Sequence, residues 1–269
     1  MSTAGAAAFQ ALAIIPVYNH PNTVGAVVEG VLRAGLPCLL VDDGSDAACA
    51  AVLDDLAARH SGALVPGERV PQVQVLRLPR NVGKGGAVQA GLRQALQQGF
   101  THALQIDADG QHQTGDILEF IAQARQHPAA MICGAPIYDA SVPKVRFYGR
   151  YITHIWVWIN TLSLDIEDSM CGFRVYPLSS AVQVLEGASV GQRMDFDTEI
   201  LVRLHWMGVP FVTLRTKVNY PEDGVSHFHG FRDNVLISCM HAKLFFGMLA
   251  RSPWLLSRKF RRRCTGGAT

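Results

Sequence analysis

Two aspartates one residue apart, Asp107 and Asp109, follow an apolar run at residues 103–106 and precede Gly110. An apolar run that leads into carboxylates and a glycine is typical of a buried parallel strand whose carboxyl end carries a site. Neighbouring like charges are unfavourable unless a cation lies beside them, and carboxylates with the amide of Gln111 suit Mg²⁺ or Mn²⁺ bridging to phosphates. We therefore predict a metal site at Asp107, Asp109 and Gln111. The alternative is a solvated Asp-Gly turn.

A glycine-rich segment, Gly83-Lys84-Gly85-Gly86, opens a predicted helix. Backbone amides and a lysine at a helix start can bind phosphate, so Lys84 is a candidate ligand of a diphosphate. The segment lacks the spacing of a P-loop. A tight turn that lets a helix pack closely on the sheet explains the glycines equally well, and the sequence leaves both interpretations open.

Three cations, Lys144, Arg146 and Arg150, follow the strand pattern that ends near Cys133. Their spacing suits a clamp on an anion, either the diphosphate of a donor or the phosphate of an acceptor. A solvated basic loop would show the same pattern, so the sequence does not decide between them.

These side chains need a scaffold that brings strand ends together. Apolar runs at residues 11–17, 38–41, 73–78, 103–106 and 131–133 alternate with helical patterns and short connections. Such alternation predicts an α/β fold, with a mostly parallel, doubly wound sheet and helices on both faces. Polar residues at the strand ends Tyr18, Asp43 and Asp107 should then meet at one edge, where such sheets bind ligands.

The composition favours a folded protein of a reducing compartment. Of the 269 residues 49% are apolar and 17% charged, which is enough for a sizeable core. The six cysteines are scattered, without the spacing of a metal site or disulfide framework. No cation precedes Arg33, and the apolar stretch at residues 152–164 is too short to cross a bilayer. We expect neither a signal peptide nor a spanning segment, and a cytoplasmic location.

The last part of the chain is apolar and basic. No acid follows Asp233, and aromatic and aliphatic residues recur at helical spacing among cations from residue 229 to 260. This pattern predicts amphipathic helices on an anionic membrane surface, peripheral to the inner face of the cell membrane. The alternative is a helix packed on the core with a solvated basic tail. A nucleic-acid partner is not expected, because the charge is confined to one tail and no groove-reading motif is present.

The order of the motifs resembles glycosyltransferase family 2, and within it the polyprenyl-phosphate (dolichol-phosphate) mannosyltransferase-like enzymes. The motifs are Pro16-Val17-Tyr18-Asn19, Val41-Asp42-Asp43-Gly44-Ser45, Asn81-Val82-Gly83-Lys84-Gly85, Asp107-Ala108-Asp109-Gly110-Gln111-His112, Asp168-Ser169-Met170-Cys171-Gly172-Phe173-Arg174 and Phe196-Asp197-Thr198-Glu199. The His20 motif and residues 142–151 are also similar to glycosyltransferases of bacterial aryl-polyene clusters.

The resemblance implies a GT-A domain over residues 1–227, with a nucleotide-binding half at 11–135 and an acceptor half at 136–227. Residues 228–269 would form the basic membrane-interface helices and tail. The implied reaction is an inverting, metal-dependent transfer of a sugar from a UDP- or GDP-sugar to a lipid or polyprenyl acceptor.

The resemblance also assigns roles to individual residues. Pro16 and Tyr18 would line the nucleoside pocket, and Val41 and Asp43 would contact the base or ribose. Ala108 would pack against the donor.

Four further residues receive roles in the same way. Arg174 would lie near the site, and His227 would meet the diphosphate. Asp197 occupies the place of the base in members with alcohol acceptors, so Asp197 and the metal ligand Asp109 are the catalytic candidates.

Two departures from the family pattern bear on the acceptor. His20 stands where the family usually has glutamate, and Pro136 stands where polyprenyl-phosphate enzymes have arginine. Loss of that arginine, with Asp197 retained, favours a hydroxyl acceptor on a lipid. The alternatives are a polyprenyl-phosphate mannosyl or glucosyl transferase and a non-catalytic membrane-attached scaffold. A dehalogenase-type phosphatase and a calcium loop are disfavoured by Gln111 and Leu118 at their defining positions.

Overall fold

The structure is a computed structural model that describes residues 8–61, 71–137, 144–218 and 230–265, without the side chains of residues 144–149 and 262–265. Seven strands form one sheet in the order β3-β2-β1-β4-β6-β5-β7. The strands are β1 (Ala11–Val17), β2 (Cys38–Asp42), β3 (Val73–Arg77), β4 (His102–Gln105), β5 (Met131–Ile137), β6 (Arg174–Pro177) and β7 (Phe211–Lys217).

In the part of the chain that the structure describes, eight α-helices accompany the sheet. They are α1 (Val24–Arg33), α2 (Ala47–Arg59), α3 (Lys84–Gln97), α4 (Ile117–Gln126), α5 (Lys144–Thr161), α6 (Leu178–Gly187), α7 (Phe196–Met207) and α8 (Gly230–Thr265). A short 3₁₀ turn at Thr114–Asp116 leads into α4. The predicted α/β class, with a mostly parallel sheet, is confirmed.

The sheet is parallel except at β6. Strands β1 to β4 are mutually parallel, as are β5 and β7, whereas β6 runs antiparallel to both of its neighbours, β4 and β5. The strand at Met131–Ile137 therefore does not lie beside β4, although it follows β4 in sequence. Both predicted halves of the chain contribute to this one sheet, and the division at residue 135 remains a prediction.

Alternation along the strands divides the core into two layers. Leu12 and Ile14 of β1 face a cluster that includes residues of α3, α6, α7 and α8, whereas Ala13 and Ile15 face a cluster built with α1, α2 and α4. Burial of each such aliphatic side chain stabilises the fold by roughly 1.5–3 kcal/mol. Helices on both faces explain why the central strands β1 and β2 are buried at every position, whereas the outer strands β3 and β7 carry polar residues.

The described cysteines are free thiols. Cys38, Cys49, Cys133 and Cys171 are buried, and Cys239 is exposed. Burial raises the pKa of both Cys133 and Cys171 to about 12, so these thiols stay protonated and inert at neutral pH. Four of the five described cysteines are therefore buried, and all five are free thiols.

The predicted C-terminal helices form one continuous helix, α8. Pro253 lies inside it and cannot donate to the carbonyl of Leu249, but the hydroxyl of Ser252 donates to that oxygen at 2.9 Å instead. By length and composition alone, residues Gly230–Arg261 could cross a membrane, which differs from the expectation of no spanning segment, and 22% of their most apolar stretch is buried. Phe231, Phe246 and Phe260 on this helix are exposed.

Two of the C-terminal cations predicted to face a membrane contact the protein. Arg258 donates to the backbone oxygens of His205 at 2.8 Å and Trp206 at 3.3 Å, at the C-terminal end of α7. Lys259 donates to the oxygen of Leu162 at 2.9 Å. A cation at a helix C-terminus satisfies open carbonyls and the helix dipole, so Arg258 anchors α8 to α7.

Candidate active site

The carboxyl ends of β1, β2 and β4 bring the polar strand-end residues to one edge of the sheet. Pro16 of β1 is in register with Val41 of β2, and the amide of Asp43 donates to Val17 at 2.8 Å. On the other side, the amide of Ile106 donates to Ile14 at 3.1 Å, so Asp107 follows directly at the same edge. Parallel pairing is the physical reason that residues distant in sequence converge here.

Lys84 joins two carboxylates at this edge. Its Nζ atom lies 2.8 Å from Oδ2 of Asp107 and 3.2 Å from Oδ2 of Asp197, and all three side chains are mostly buried. Burial by itself raises the pKa of Asp107, but Lys84 and His112 outweigh that effect and hold the pKa well below its usual value. Asp107 and Asp197 raise the pKa of Lys84 despite its burial, so Lys84 and Asp107 are both charged at neutral pH.

The glycine-rich turn is held by Asp43. One carboxylate oxygen accepts from the amide of Val82 at 2.7 Å and the other from the amide of Gly83 at 2.9 Å. Burial, the largest influence, raises the pKa of Asp43, although these two hydrogen bonds act in the opposite direction. Asp43 therefore fixes the turn that presents Lys84, and its predicted contact with a base or ribose remains a prediction.

Close packing accounts for the glycines of that turn. Gly83 has a φ of +99°, and a Cβ atom there would lie 2.7 Å from the oxygen of Gln192. A Cβ atom on Gly85 would collide with Phe196. The interpretation as a tight, closely packed turn therefore holds for the glycines. Lys84 faces the carboxylate cluster, and its role as a phosphate ligand remains a prediction.

The predicted metal ligands lie in the turn after β4. Oδ1 of Asp109 accepts from the amide of Gln111 at 3.0 Å, and the hydroxyl of Thr23 donates to the oxygen of Ala108 at 2.6 Å. These bonds shape the turn and leave Ala108 buried.

A divalent cation fits the chemistry of this turn. Oδ1 of Asp107 is buried and has no hydrogen-bond partner among the described residues, as expected of an oxygen reserved for a cation. The described residues contain no group of three His, Cys, Asp or Glu side chains suited to a metal. Asp107, Asp109 and the side-chain amide of Gln111 nevertheless offer oxygen donors of the kind that Mg²⁺ and Mn²⁺ prefer, and their role as metal ligands remains a prediction.

Asp197 lies on a buried polar network that the sequence analysis did not predict. Oδ1 of Asp197 is 3.4 Å from a guanidinium nitrogen of Arg174 and 3.4 Å from the amide nitrogen of Gln105. The Gln105 oxygen in turn accepts from the hydroxyl of Tyr176 at 2.8 Å. Gln105, a polar residue between the apolar residues Leu104 and Ile106, was the available signal for this network.

Arg174 helps to hold Asp197 in place. Its side chain is fully buried and donates to the backbone oxygens of Asp197 and Ser169, each at 2.7 Å. It thus lies near the site, as the resemblance implies. Its contacts are with Asp197 and Ser169, and a role for Arg174 in binding substrate remains a prediction.

Arg150 binds a carboxylate of the protein. Its guanidinium forms a bidentate pair with Asp168, with Nε 2.8 Å from Oδ2 and a terminal nitrogen 2.6 Å from Oδ1. Asp168 also accepts from the amides of Met170 and Cys171, and its pKa is lowered because Arg150 outweighs the effect of burial. If Arg150 also binds an anionic ligand, as predicted, it would do so while paired with Asp168.

The loop that contains Asp168 and Gly172, which we call the Asp168 loop, packs against Asp107 and Lys84. A Cβ atom on Gly172 would lie 2.6 Å from Oδ2 of Asp107 and 2.7 Å from Nζ of Lys84, so only glycine lets the loop approach this closely. Beside the loop, Pro136, Tyr151, His154 and Trp158 line part of a cavity of about 290 Å³.

The structure describes the side chain of His112 but not those of Arg146 and His227. His112 places Nε2 at 3.7 Å from Asp107 and stacks on Phe173. Arg146 lies on α5, but its side chain is outside the described part of the chain, and His227 lies outside the described residues.

Comparison with known proteins identifies a family that matches this chain. Residues 12–179 match the family described as Glycosyl transferase family 2. This match covers all three strand ends, the glycine-rich turn and the paired aspartates.

Curated relatives resemble the chain over most of its length. A dolichyl-phosphate beta-glucosyltransferase of Dictyostelium discoideum is 22% identical over 82% of this chain and 69% of its own. A UDP-N-acetylglucosamine--dolichyl-phosphate N-acetylglucosaminyltransferase of Methanococcus voltae is 25% identical over 81% and 91%. An undecaprenyl-phosphate mannosyltransferase of Micrococcus luteus is 28% identical over 61% and 65%.

Among solved structures, the fold is similar to S. aureus TarS 1-349 in complex with UDP-GlcNAc. The TM-score is 0.58 at 12% identity, over 88% of this chain and 66% of TarS 1-349. At this identity the likeness concerns the fold alone. It agrees with the expected GT-A architecture, and the chain spans only part of that structure.

Proposed function

This chain belongs to glycosyltransferase family 2, and from that membership we propose that it transfers a sugar from a nucleotide-sugar donor to a lipid acceptor at a membrane surface. The observation that carries the proposal is the cluster of Lys84, Asp107 and Asp197 at the carboxyl edge of the sheet. A cation between two carboxylates, beside a turn suited to a divalent metal, fits the binding of a diphosphate leaving group.

The donor would bind across the ends of β1, β2 and β4. Pro16, Tyr18 and Val41 would border the nucleoside, with Asp43 holding the turn behind it. Asp107, Asp109 and Gln111 would hold Mg²⁺ or Mn²⁺, which would supply positive charge for the diphosphate. The relatives include one whose name specifies UDP-N-acetylglucosamine, which supports a UDP-sugar as the first donor to test.

The chain's own residues would orient the donor and exclude water. The Asp168 loop, through Gly172, covers one side of Asp107 and Lys84. Lys84 would transfer its contact from Asp107 to the diphosphate as the donor binds. In-line attack by the acceptor oxygen on the anomeric carbon would break the bond to the diphosphate and invert the configuration.

A polyprenyl phosphate is the first candidate acceptor. The names of the relatives specify dolichyl phosphate and undecaprenyl phosphate. A phosphate acceptor is already ionised and needs no base. Asp197 fits such an acceptor, because both of its carboxylate oxygens contact protein groups. The cavity beside Pro136 and Arg150 is the proposed place for the head of the acceptor.

A lipid hydroxyl is the second candidate, and Pro136 and Arg150 favour it. Pro136 replaces the arginine expected from the family, and Arg150 is neutralised by Asp168. A hydroxyl acceptor requires a group that takes its proton, and Asp197 is the carboxylate available beside Lys84.

Helices α5 and α8 are the proposed membrane-binding surface. Exposed apolar residues on both helices include Tyr151, Ile152, Phe246, Leu249 and Phe260. Such residues beside a basic terminus suit binding to anionic lipid on the cytoplasmic face.

The test uses the full purified chain in detergent with Mn²⁺ or Mg²⁺. Labelled UDP- and GDP-sugars would be offered with a polyprenyl phosphate or the matching polyprenol. We expect metal-dependent transfer to one of the two acceptors and little with Asp109→Asn. Absence of transfer, of donor hydrolysis and of nucleotide binding would overturn the proposal and favour the scaffold interpretation.

A further inference from the structure

The loop between α6 and α7 lies directly against the start of α3. The amide of Gly86 donates to the oxygen of Gln192 at 2.8 Å, and the side chain of Gln89 donates to the oxygen of Gly191 at 2.8 Å. A Cβ atom on Gly83 would meet both Gln192 and Arg193. This loop, residues 188–193, therefore supports the turn that presents Lys84.

Glu199 holds that loop from the other side. It lies on α7 with only 1% of its surface exposed, and one carboxylate oxygen accepts from the amide of Gly191 at 2.8 Å. The other oxygen accepts from Arg203 at 2.7 Å and lies 3.0 Å from Nζ of Lys243. A buried carboxylate with this many donors is strongly fixed in place.

Lys243 connects the loop to the C-terminal helix. It lies on α8, and besides its pair with Glu199 it donates to the backbone oxygen of Ser189. One lysine thus contacts both the loop and the carboxylate that holds the loop. The contacts run without a gap from α8, through Glu199 and residues 188–193, to α3 and Lys84.

We propose that Glu199 and Lys243 are positioning residues that couple the seating of α8 to the donor site. With α8 seated, Lys243 and Glu199 hold residues 188–193 against Gly86 and Gln89, and Lys84 is kept facing Asp107 and Asp197. The inference rests on the proposed function for the identity of the donor. The mechanical link between α8 and the glycine-rich turn is separate from that identity.

Lys243→Met is the direct test, because this side chain is 48% exposed and its loss should be compatible with folding. We expect the dissociation constant of a UDP- or GDP-sugar with Mn²⁺ to rise about fivefold or more. The turnover at saturating donor should change less than KM for the donor. Lys243→Arg, which retains the positive charge beside Glu199, should restore most of the affinity.

Lys259→Met is the matched control. Lys259 is also an exposed lysine of α8 that donates to a backbone oxygen, but its partner is Leu162 rather than a residue of the 188–193 loop. Donor affinity should be unchanged in this variant.

A second measurement needs no donor. Hydrogen exchange at the amides of Gly86 and Gly191 should accelerate in Lys243→Met and remain at the parent rate in Lys259→Met. Equal exchange at these amides in the parent and in Lys243→Met would overturn the inference, whatever the enzyme transfers. If exchange responds as expected but the parent binds no nucleotide sugar, the proposed function fails and the link between α8 and the turn stands.

Discussion

The ammonium of Lys84 lies 2.8 Å from Oδ2 of Asp107 and 3.2 Å from Oδ2 of Asp197, so a single lysine bridges two carboxylates from distant parts of the chain. Asp107 is also a candidate metal ligand. The charge of Lys84 and the charge of a divalent cation therefore act on the same carboxylate, and the two should partly substitute for each other in stabilising the fold.

Lys84→Met tests this relationship through thermal stability. Without the ammonium, Asp107 and Asp197 are like charges near each other, so the melting temperature of the metal-free protein should fall. Mn²⁺ should then raise the melting temperature of the variant more than that of the parent, because the metal supplies the missing positive charge. Identical Mn²⁺-induced shifts would show that no metal binds beside Asp107.

Asp109→Asn tests the metal site through activity. The amide retains an oxygen that can accept from the backbone of Gln111, so the turn and the fold should persist. The loss of one anionic ligand should weaken metal binding, and initial rates should fall by roughly 10–100-fold or more. Rates would be measured across a Mn²⁺ titration, with the melting temperature as a control. Near-normal turnover with unchanged metal dependence would place the metal elsewhere.

Asp197→Asn separates the two acceptor classes. With a lipid hydroxyl, loss of a general base should lower turnover by about 10²–10⁴-fold while donor binding stays close to normal. With a polyprenyl phosphate the effect should be small, because the acceptor is already ionised. Turnover of the variant would be compared with both acceptors. A silent substitution with each would remove Asp197 from the chemistry.

Arg150→Lys tests the anion-clamp prediction with a retained charge. Arg150→Ala is less suitable, because it would leave Asp168 buried without its partner, at a cost of roughly 3–5 kcal/mol. If Arg150 also contacts the acceptor phosphate, the lysine variant should raise the acceptor KM and leave the donor KM unchanged. A change in melting temperature alone would restrict Arg150 to holding Asp168.

The membrane-facing side of α8 can be tested by substituting two exposed aromatic residues. Phe246 and Phe260 are 69% and 71% exposed, so the double change to serine should preserve folding. Each buried phenylalanine is worth roughly 1.5–3 kcal/mol at an apolar interface, so binding to anionic vesicles should weaken at least tenfold. Leu118→Ser on α4, where the leucine is 63% exposed, is the matched control. Equal sedimentation of all three proteins with vesicles would exclude α8 as the binding face.

Acid should weaken the packing of α8 on α5. The His241 ring is buried, with Nδ1 3.3 Å from Nδ2 of Asn160 on α5, and burial lowers the pKa of His241 to about 4. The pKa of a histidine in the unfolded chain is about 6.5, so protonation of His241 favours the unfolded chain. The free energy of unfolding is therefore highest above pH 6.5 and declines as the pH falls towards 4. The loss should reach about 2 kcal/mol by pH 5. Urea denaturation at pH 7 and pH 5 measures it, and His241→Gln should reduce the difference between the two.

The local features of this protein could be read from its sequence. Valines at residues 24, 27, 28 and 31 recur at helical spacing and form the buried face of α1. The apolar runs that end at Tyr18, Asp43 and Asp107 predicted strands whose ends meet at one edge. These features depend on residue periodicity and on turn chemistry within a few residues, so neighbouring positions are sufficient to encode them.

Only the tertiary structure decided which distant side chains became partners. Because β6 lies between β4 and β5, Arg174 lies beside Gln105 and 3.4 Å from Asp197. The cation Arg150, expected to meet an anionic ligand, pairs with Asp168. Periodicity carries no information about these contacts, because strand order and ion-pair partners depend on how the whole chain closes. The sequence therefore predicted the types of group at the site, and the fold determined which of them touch.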